Sequence, residues 1–206
     1  MEKKTDALKI LGLLSMVIDH IGFGFFPQYP VLRIIGRIAF PIFAFELAEG
    51  AFRTKNIKRY AMRLLVAASL AQIPFMLYFN EREGDTLYTL LLALIIIYAM
   101  DHKKIVVMVI GIILAAIVPL DYGCVGVMIP IVFYLGRDNP RYTAVLQLFT
   151  IGILAMSWRL DLAAYLGVLL VLWFQKHPIS IKVNQYFYYF FYPIHLAVLV
   201  IFKAVI

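Results

Sequence analysis

Five ionisable side chains occupy stretches that are otherwise apolar. Asp19 and His20 lie in SMVIDHIGFG, and Arg37, Glu46 and Glu49 lie in GRIAFPIFAFELAEG. A charge at the centre of a bilayer costs roughly 2.5–3.5 kcal/mol on insertion scales, so such groups face protein or water and find partners. An imidazole titrating near ~6.5 can take a proton at neutral pH. A guanidinium can stabilise a developing oxyanion or hold a carboxylate in place. Gly12, Ser15, Asp19 and Gly22 recur at three- and four-residue steps and share one helix face, where small residues allow close helix approach. His20 lies about 100° further round. Adjacent residues on a helix do not face each other, so no Asp19–His20 hydrogen bond is expected. His20 is then either a buried histidine bonded to a backbone carbonyl or a catalytic or proton-relay group. Pro41 cannot donate to the carbonyl of Arg37 and its ring displaces that carbonyl, which predicts a kink beside an intramembrane cation. An ion pair between Asp19 and Arg37 is the expected arrangement.

Further along the chain the same types recur. Glu49 precedes Gly50 and a basic run of Arg53, Lys55, Lys58, Arg59 and Arg63. This is either the positive-inside effect with local pairing or a mouth for an anionic cofactor, to which the start of the next helix could add backbone N–H groups. Gln72 stands next to Ile73-Pro74. In YFYYFFYPIHLAVL, Tyr188, Tyr192 and His195 share a face, and Pro193 frees the carbonyl of Tyr189. An interfacial aromatic belt explains the tyrosines but not His195, which is a candidate to line the same cavity as His20. Asp121-Tyr122-Gly123 reads as a turn, with Asp121 also a candidate for contact with an acceptor.

The elements that must position these groups are membrane helices. Of 206 residues, 64% are hydrophobic and 15% charged, and the mean hydropathy is +0.89. Soluble domains have about 45–50% apolar residues, so the bilayer is the natural solvent. Cys124 is the only cysteine and the four histidines are scattered, so neither a disulfide nor a metal site is expected. The net charge of +7 fits basic cytoplasmic loops rather than nucleic-acid binding. The N-terminus reads as an uncleaved first span, since no A-x-A-like site follows it.

Apolar segments fall near 7–26, 31–51, 59–79, 86–100, 104–120, 122–136, 141–157, 161–175 and 186–203. The expectation is an all-α polytopic bundle of about nine spans, one integral-membrane domain over residues 1–206. With the N-terminus inside, the cytoplasmic side receives Lys3, Lys4, Lys9, Arg53, Lys55, Lys58, Arg59, Arg63, Lys103, Lys104, Arg137, Arg141, Lys176 and Lys182, 14 of the 19 basic residues. Arg33, Arg82, Arg159 and Lys203 fall outside, Arg37 lies within a span, and the C-terminus is outside. No inverted repeat of the secondary-transporter kind is evident.

VIDHIG (17–22), GRIAFPIFAFELAEG (36–50), the Thr54 to Arg63 stretch, AQIPF (71–75) and DYGCVG (121–126) resemble the TraX family over almost the whole chain. FYPIHL (191–196) resembles the ends of integral-membrane acyltransferases. The resemblance implies a cell-membrane, multi-pass protein that moves an acetyl group from cytoplasmic acetyl-CoA to an amine or hydroxyl at the outer half of the membrane. A pilin N-terminus or an envelope glycan would be the acceptor. It also implies roles for Asp19, His20, Arg37, Glu49, Tyr60 and Arg63. The expected division is His20, Asp19 and Arg37 in catalysis, and Glu49, Arg53, Lys55, Lys58, Arg59, Tyr60 and Arg63 at the cofactor. Tyr192, His195, Asp121 and Gln72 are expected at the acceptor. Membrane lipids are the surrounding partner. Two other classes fit the same charges: a proton-coupled small-molecule transporter and a non-catalytic envelope assembly factor.

Overall fold

The computed structural model describes residues 6–157, 159–179, 181 and 183–205, so Lys3, Lys4 and Lys182 of the charge argument lie outside the described residues. Its elements are α1 (Asp6–Phe25), α2 (Pro30–Gly36), α3 (Ala39–Arg53), α4 (Ile57–Phe79), α5 (Thr86–Asp101), α6 (Ile105–Ile117), α7 (Gly123–Leu135), α8 (Pro140–Ser157), a 3-10 turn (Arg159–Ala163), α9 (Ala164–Lys176) and α10 (Gln185–Val205). The fold is all-helical. Among the described residues the sole β-type pairing is an isolated bridge between Gly84 and Leu120.

Helices Asp6–Phe25, Ile57–Phe79 and Tyr186–Val205 are long and apolar enough to cross a membrane. α6, α7 and α9 have 13 residues each, about 20 Å of helix against a hydrocarbon core of about 30 Å. α6 is apolar along its length and buries only Gly111 and Ala115; Ile105, Val106 and Ile117 are each about 70% exposed. In water such a surface would drive association, whereas in lipid it is the expected outer face.

The expected segments coincide with helices, with one correction. The second segment is two helices, and it breaks at Arg37–Ile38 rather than kinking at Pro41. Pro41 sits in the first turn of α3, where its missing N–H costs no ladder bond. The clash of its ring with the carbonyl four residues back moves the interruption upstream. Gly36, the last residue of α2, lies so close to α1 that a Cβ there would overlap the Asp19 carboxyl group. Gly167 of α9 lets that helix approach the break, since a Cβ there would sit 2.6 Å from the Ile38 carbonyl oxygen.

Two faces of α1 do different work. Leu8, Gly12, Ser15, Asp19 and Gly22 are all buried. The Ser15 hydroxyl donates to the Ile35 carbonyl at 2.5 Å, and a Cβ on Gly12 would meet Ile42 at 3.0 Å, so this stripe is the seam with α2 and α3. The neighbouring stripe, Lys9, Leu13, Met16, His20 and Phe23, lines a cavity. The buried apolar residues form one cluster centred on α3, α5, α7 and α9 and a second on α1, α4 and α10. The cavity runs along the join between them, walled by Phe40 and Leu47 of the first and Met16 and Phe75 of the second.

Candidate functional site

The cavity has a volume of about 490 Å³, within the range of about 300–1,000 Å³ typical of small-molecule sites. One end lies at the α3–α4 turn, with Lys9, Glu46, Gly50, Thr54, Tyr60, Arg63 and Tyr188 in its wall. The other lies at the α4–α5 and α6–α7 turns, with Phe79, Glu81, Thr86, Asp121 and Tyr122. His20, Asp19, Arg33 and Arg37 line it between α1 and α2–α3.

The expected Asp19–Arg37 pair is present: Arg37 Nη2 is 3.3 Å from both carboxylate oxygens. It belongs to a larger cluster. Arg33 Nη1 donates to Asp19 Oδ2 at 2.6 Å. Arg37 Nη1 reaches Asp161 Oδ1 and the Tyr122 hydroxyl, each at 3.3 Å. Asp19, Arg37 and Asp161 are 5–8% exposed, so their charges are compensated inside protein. Arg33 was expected among the outer-loop charges, but it is one turn from Arg37 and turns inward to the same carboxylate. Asp161, carried in by the 3-10 turn before α9, was not singled out in the sequence. The available signal was a lone carboxylate opening the apolar segment LDLAAYLG.

Tyr122 completes this corner. Its φ of 63° is left-handed, it opens α7, and its ring stacks on Phe40 with centroids 4.1 Å apart. Asp121 is in the expected turn and lines the cavity. Its carboxylate accepts from the Thr86 hydroxyl, and its backbone carbonyl accepts from Thr89 at 2.6 Å. Burial pushes the Asp121 carboxyl up to about 6, against the lowering effect of the Thr86 hydrogen bond. Asp85, fully buried, caps α5 by accepting from the N–H groups of Leu87 and Tyr88 at 2.8 and 3.2 Å. Burial pushes it up to about 7, although those two hydrogen bonds favour the charged form. Its Oδ2 has no hydrogen-bond partner among the described residues. Gln72, expected at the acceptor, instead brackets this turn: its amide donates to the Glu83 carbonyl at 2.8 Å and accepts from the Asp85 N–H at 3.0 Å.

His20 Nδ1 is 2.7 Å from His195 Nε2, and His195 Nδ1 is 3.0 Å from the Phe191 carbonyl oxygen. The two imidazoles meet edge to edge and nearly coplanar, with centroids 5.0 Å apart and planes at 10°. Tyr78 donates to the His20 carbonyl at 2.6 Å, and Phe79 packs edge-on to the His20 ring at 5.2 Å. His20 therefore lines the cavity while His195, expected beside it in the wall, lies outside that wall. Tyr192 does line the cavity, with its hydroxyl buried close to Thr86.

At the α3–α4 end Arg63 and Tyr60 line the cavity. The Arg63 guanidinium lies over the rings of Tyr189 and Tyr60, 5.5 and 5.9 Å from their centroids. The Arg63 Nε and the Tyr188 hydroxyl are buried and have no hydrogen-bond partner among the described residues. Glu49 is not in the wall. It pairs with Arg53 four residues on, and Glu46, one turn earlier and on the cavity face of α3, takes that place with Lys9 Nζ at 3.2 Å. Arg53, Lys55, Lys58 and Arg59 are exposed on the rim and not in the wall. The start of α4 is partly satisfied already, because the Asn56 side chain accepts from the Arg59 N–H at 2.9 Å.

An all-helical bundle with apolar helices of spanning length, and with a compensated ion cluster on an internal cavity, defines a helical membrane protein. The TraX protein family profile matches residues 4–203, and the chain belongs to the TraX family. It is 28% identical over 226 residues to the probable fimbrial assembly protein FimC, serogroup H1, of Dichelobacter nodosus, covering 93% of this chain and 92% of that protein. A 40-residue stretch is 52% identical to the uncharacterized protein RP591 of Rickettsia prowazekii (strain Madrid E), 19% of this chain and 16% of that one. No solved structure matches.

Proposed function

We propose that the protein is a multi-pass enzyme of the cytoplasmic membrane that transfers an acetyl group from cytoplasmic acetyl-CoA to an acceptor presented from the opposite side. The observation that carries this reading is a single cavity with a basic, donor-rich end at the α3–α4 turn and an imidazole along its wall. The α3–α4 end is cytoplasmic in the orientation that places most lysines and arginines inside. Arg63, Lys9 and the Tyr188 hydroxyl offer cation and O–H donors to the phosphates or the polar arm of the donor, and exposed Lys55, Lys58 and Arg59 gather the anion at the rim.

His20 takes a proton from the acceptor amine or hydroxyl as that nucleophile attacks the thioester carbonyl. The new C–N or C–O bond forms and the C–S bond breaks. The proton then passes from His20 to the departing CoA thiolate. Arg37 and Arg33 fix Asp19, and the positive side of that cluster favours the oxyanion of the tetrahedral intermediate. The family profile and the fimbrial-assembly name of the relative favour a fimbrial or pilin subunit as the acceptor, its N-terminal amine being the group modified.

The test is turnover of labelled acetyl-CoA by purified protein in detergent. Wild type should release CoA, and His20→Ala should do so about 10²–10⁴-fold more slowly at an unchanged fold. Equal rates would remove His20 from the chemistry. A proton-coupled carrier is the second reading, favoured by wall residues that reach both ends of the cavity. It predicts uptake of an intact solute into sealed vesicles with no release of CoA.

A further inference from the structure

Resting on the acyl-transfer reading of this same site, we infer that His195 is a positioning residue. It holds His20 in the tautomer whose Nε2 accepts the acceptor's proton, and it shares the charge that results. The assignment follows from the hydrogen bonds in sequence. A carbonyl oxygen only accepts, so the contact at 3.0 Å between the Phe191 oxygen and His195 Nδ1 requires the proton on Nδ1. A neutral His195 then carries a lone pair on Nε2. The 2.7 Å contact from that nitrogen to His20 Nδ1 requires the proton on His20 Nδ1. Two facing lone pairs at either place would repel. The His20 ring is thus left with an unprotonated Nε2, and no described residue occupies it with a hydrogen bond. The ring lies in the cavity wall and the second imidazole, half-buried, lies outside that wall.

The arrangement has the logic of a histidine base oriented by a third group, with an imidazole where a carboxylate is commoner. When Nε2 takes a proton, His20 becomes an imidazolium and its Nδ1–H bond to His195 becomes charge-assisted. Returning the Nε2 proton to the leaving thiolate restores the neutral pair. The scaffold around the pair is stiff. The Phe191 ring lies near-parallel to that of His195 with centroids 5.4 Å apart, and Tyr78 holds the His20 backbone. The charged and titratable groups around His20 are Asp19 on α1, Arg33 and Arg37 from α2 and the break after it, Tyr78 from α4, and His195 and Tyr192 from α10. The two guanidiniums oppose a cation on His20, and His195 is the neighbour that can share it.

Nitrogen NMR of histidine-labelled protein in detergent reads the tautomer without any acyl donor. In wild type His20 should carry its proton on Nδ1. His195→Phe keeps an aromatic ring at that place but has no acceptor, and should release His20 to the other tautomer. It should lower kcat at least about tenfold with KM within about twofold. His195→Gln offers a carbonyl oxygen to the same Nδ1–H, so it should recover a large part of the rate with an altered pH profile. A wild-type His20 protonated on Nε2 would overturn the inference. So would His195→Phe at wild-type rate with an unmoved pH profile, or His195→Gln as slow as His195→Phe. The NMR result stands even if CoA turnover is absent, so failure of the acyl-transfer reading is distinguishable from failure of this one.

Discussion

The middle of the cavity and its α3–α4 end are built on opposite principles. Around Asp19, two arginines and a second carboxylate from the 3-10 turn compensate one another, with Tyr122 capping one of the guanidiniums. At the α3–α4 end Lys9 and Glu46 pair, but the Arg63 Nε and the Tyr188 hydroxyl are buried and have no hydrogen-bond partner among the described residues. Arg37 sits between two carboxylates, whereas the Arg63 guanidinium lies over two tyrosine rings with no carboxylate within 4 Å among the described residues, so the first region reads as framework and the second as a place where a ligand supplies the anion. A charged side chain in a membrane protein is thus informative through its partners rather than through its presence.

The largest effect should come from breaking the framework. Arg37→Ala removes the partner of Asp161 and one of two partners of Asp19 and should cost about 3–5 kcal/mol, measured by thermal unfolding in detergent. Arg37→Lys should lose less, since it keeps the charge but not the fork that reaches two carboxylates. At the other end Arg63→Gln should leave thermal stability near that of wild type while raising KM for acetyl-CoA about tenfold, the size expected for one charge-assisted contact. If both variants lose stability equally, the contrast between framework and binding end is wrong.

A smaller effect concerns Asp85 at the α5 cap. Its carboxyl is raised to about 7 in the folded protein, above an unfolded value near 3.8. The folded state therefore favours the protonated form. The stabilising contribution is complete below pH ~4 and is lost as pH rises through about 7. Asp85→Asn keeps the cap oxygen and cannot ionise, so its Tm should overtake that of wild type by a few degrees, roughly, between pH ~4 and ~8. Unfolding curves across that range would expose the idea if the two proteins ran parallel. The smallest effect should come from the rim. Lys58→Ala, exposed and outside the wall, should change KM by about twofold or less at moderate salt, because screening weakens exposed charges.

Much of this was legible because helices in lipid leave a periodic record. The Gly12–Ser15–Asp19–Gly22 face and the Asp19–Arg37 pair follow from spacing and from the cost of an unpaired charge. Asp161 was not legible as a partner, since 124 positions separate it from Arg37 and no periodicity links them. Glu46 and Glu49 differ only in helix phase, and phase could not be read from composition. Lys9 was treated as a topological charge, yet the stripe Lys9, Leu13, Met16, His20 and Phe23 was present in the sequence at four- and three-residue steps. The break at Arg37 was misplaced by one turn because a proline disturbs the residues before it as much as its own position.

The central claim is that one passage connects a donor entering at the α3–α4 turn to His20. Its most direct test uses sealed vesicles of known orientation, with membrane-impermeant labelled acetyl-CoA on one face and an amine acceptor on the other. Label should cross only when the donor is on the face bearing the α3–α4 turn, and His20→Ala should abolish it. Transfer of equal rate from either face, or CoA release that survives in His20→Ala, would contradict the account.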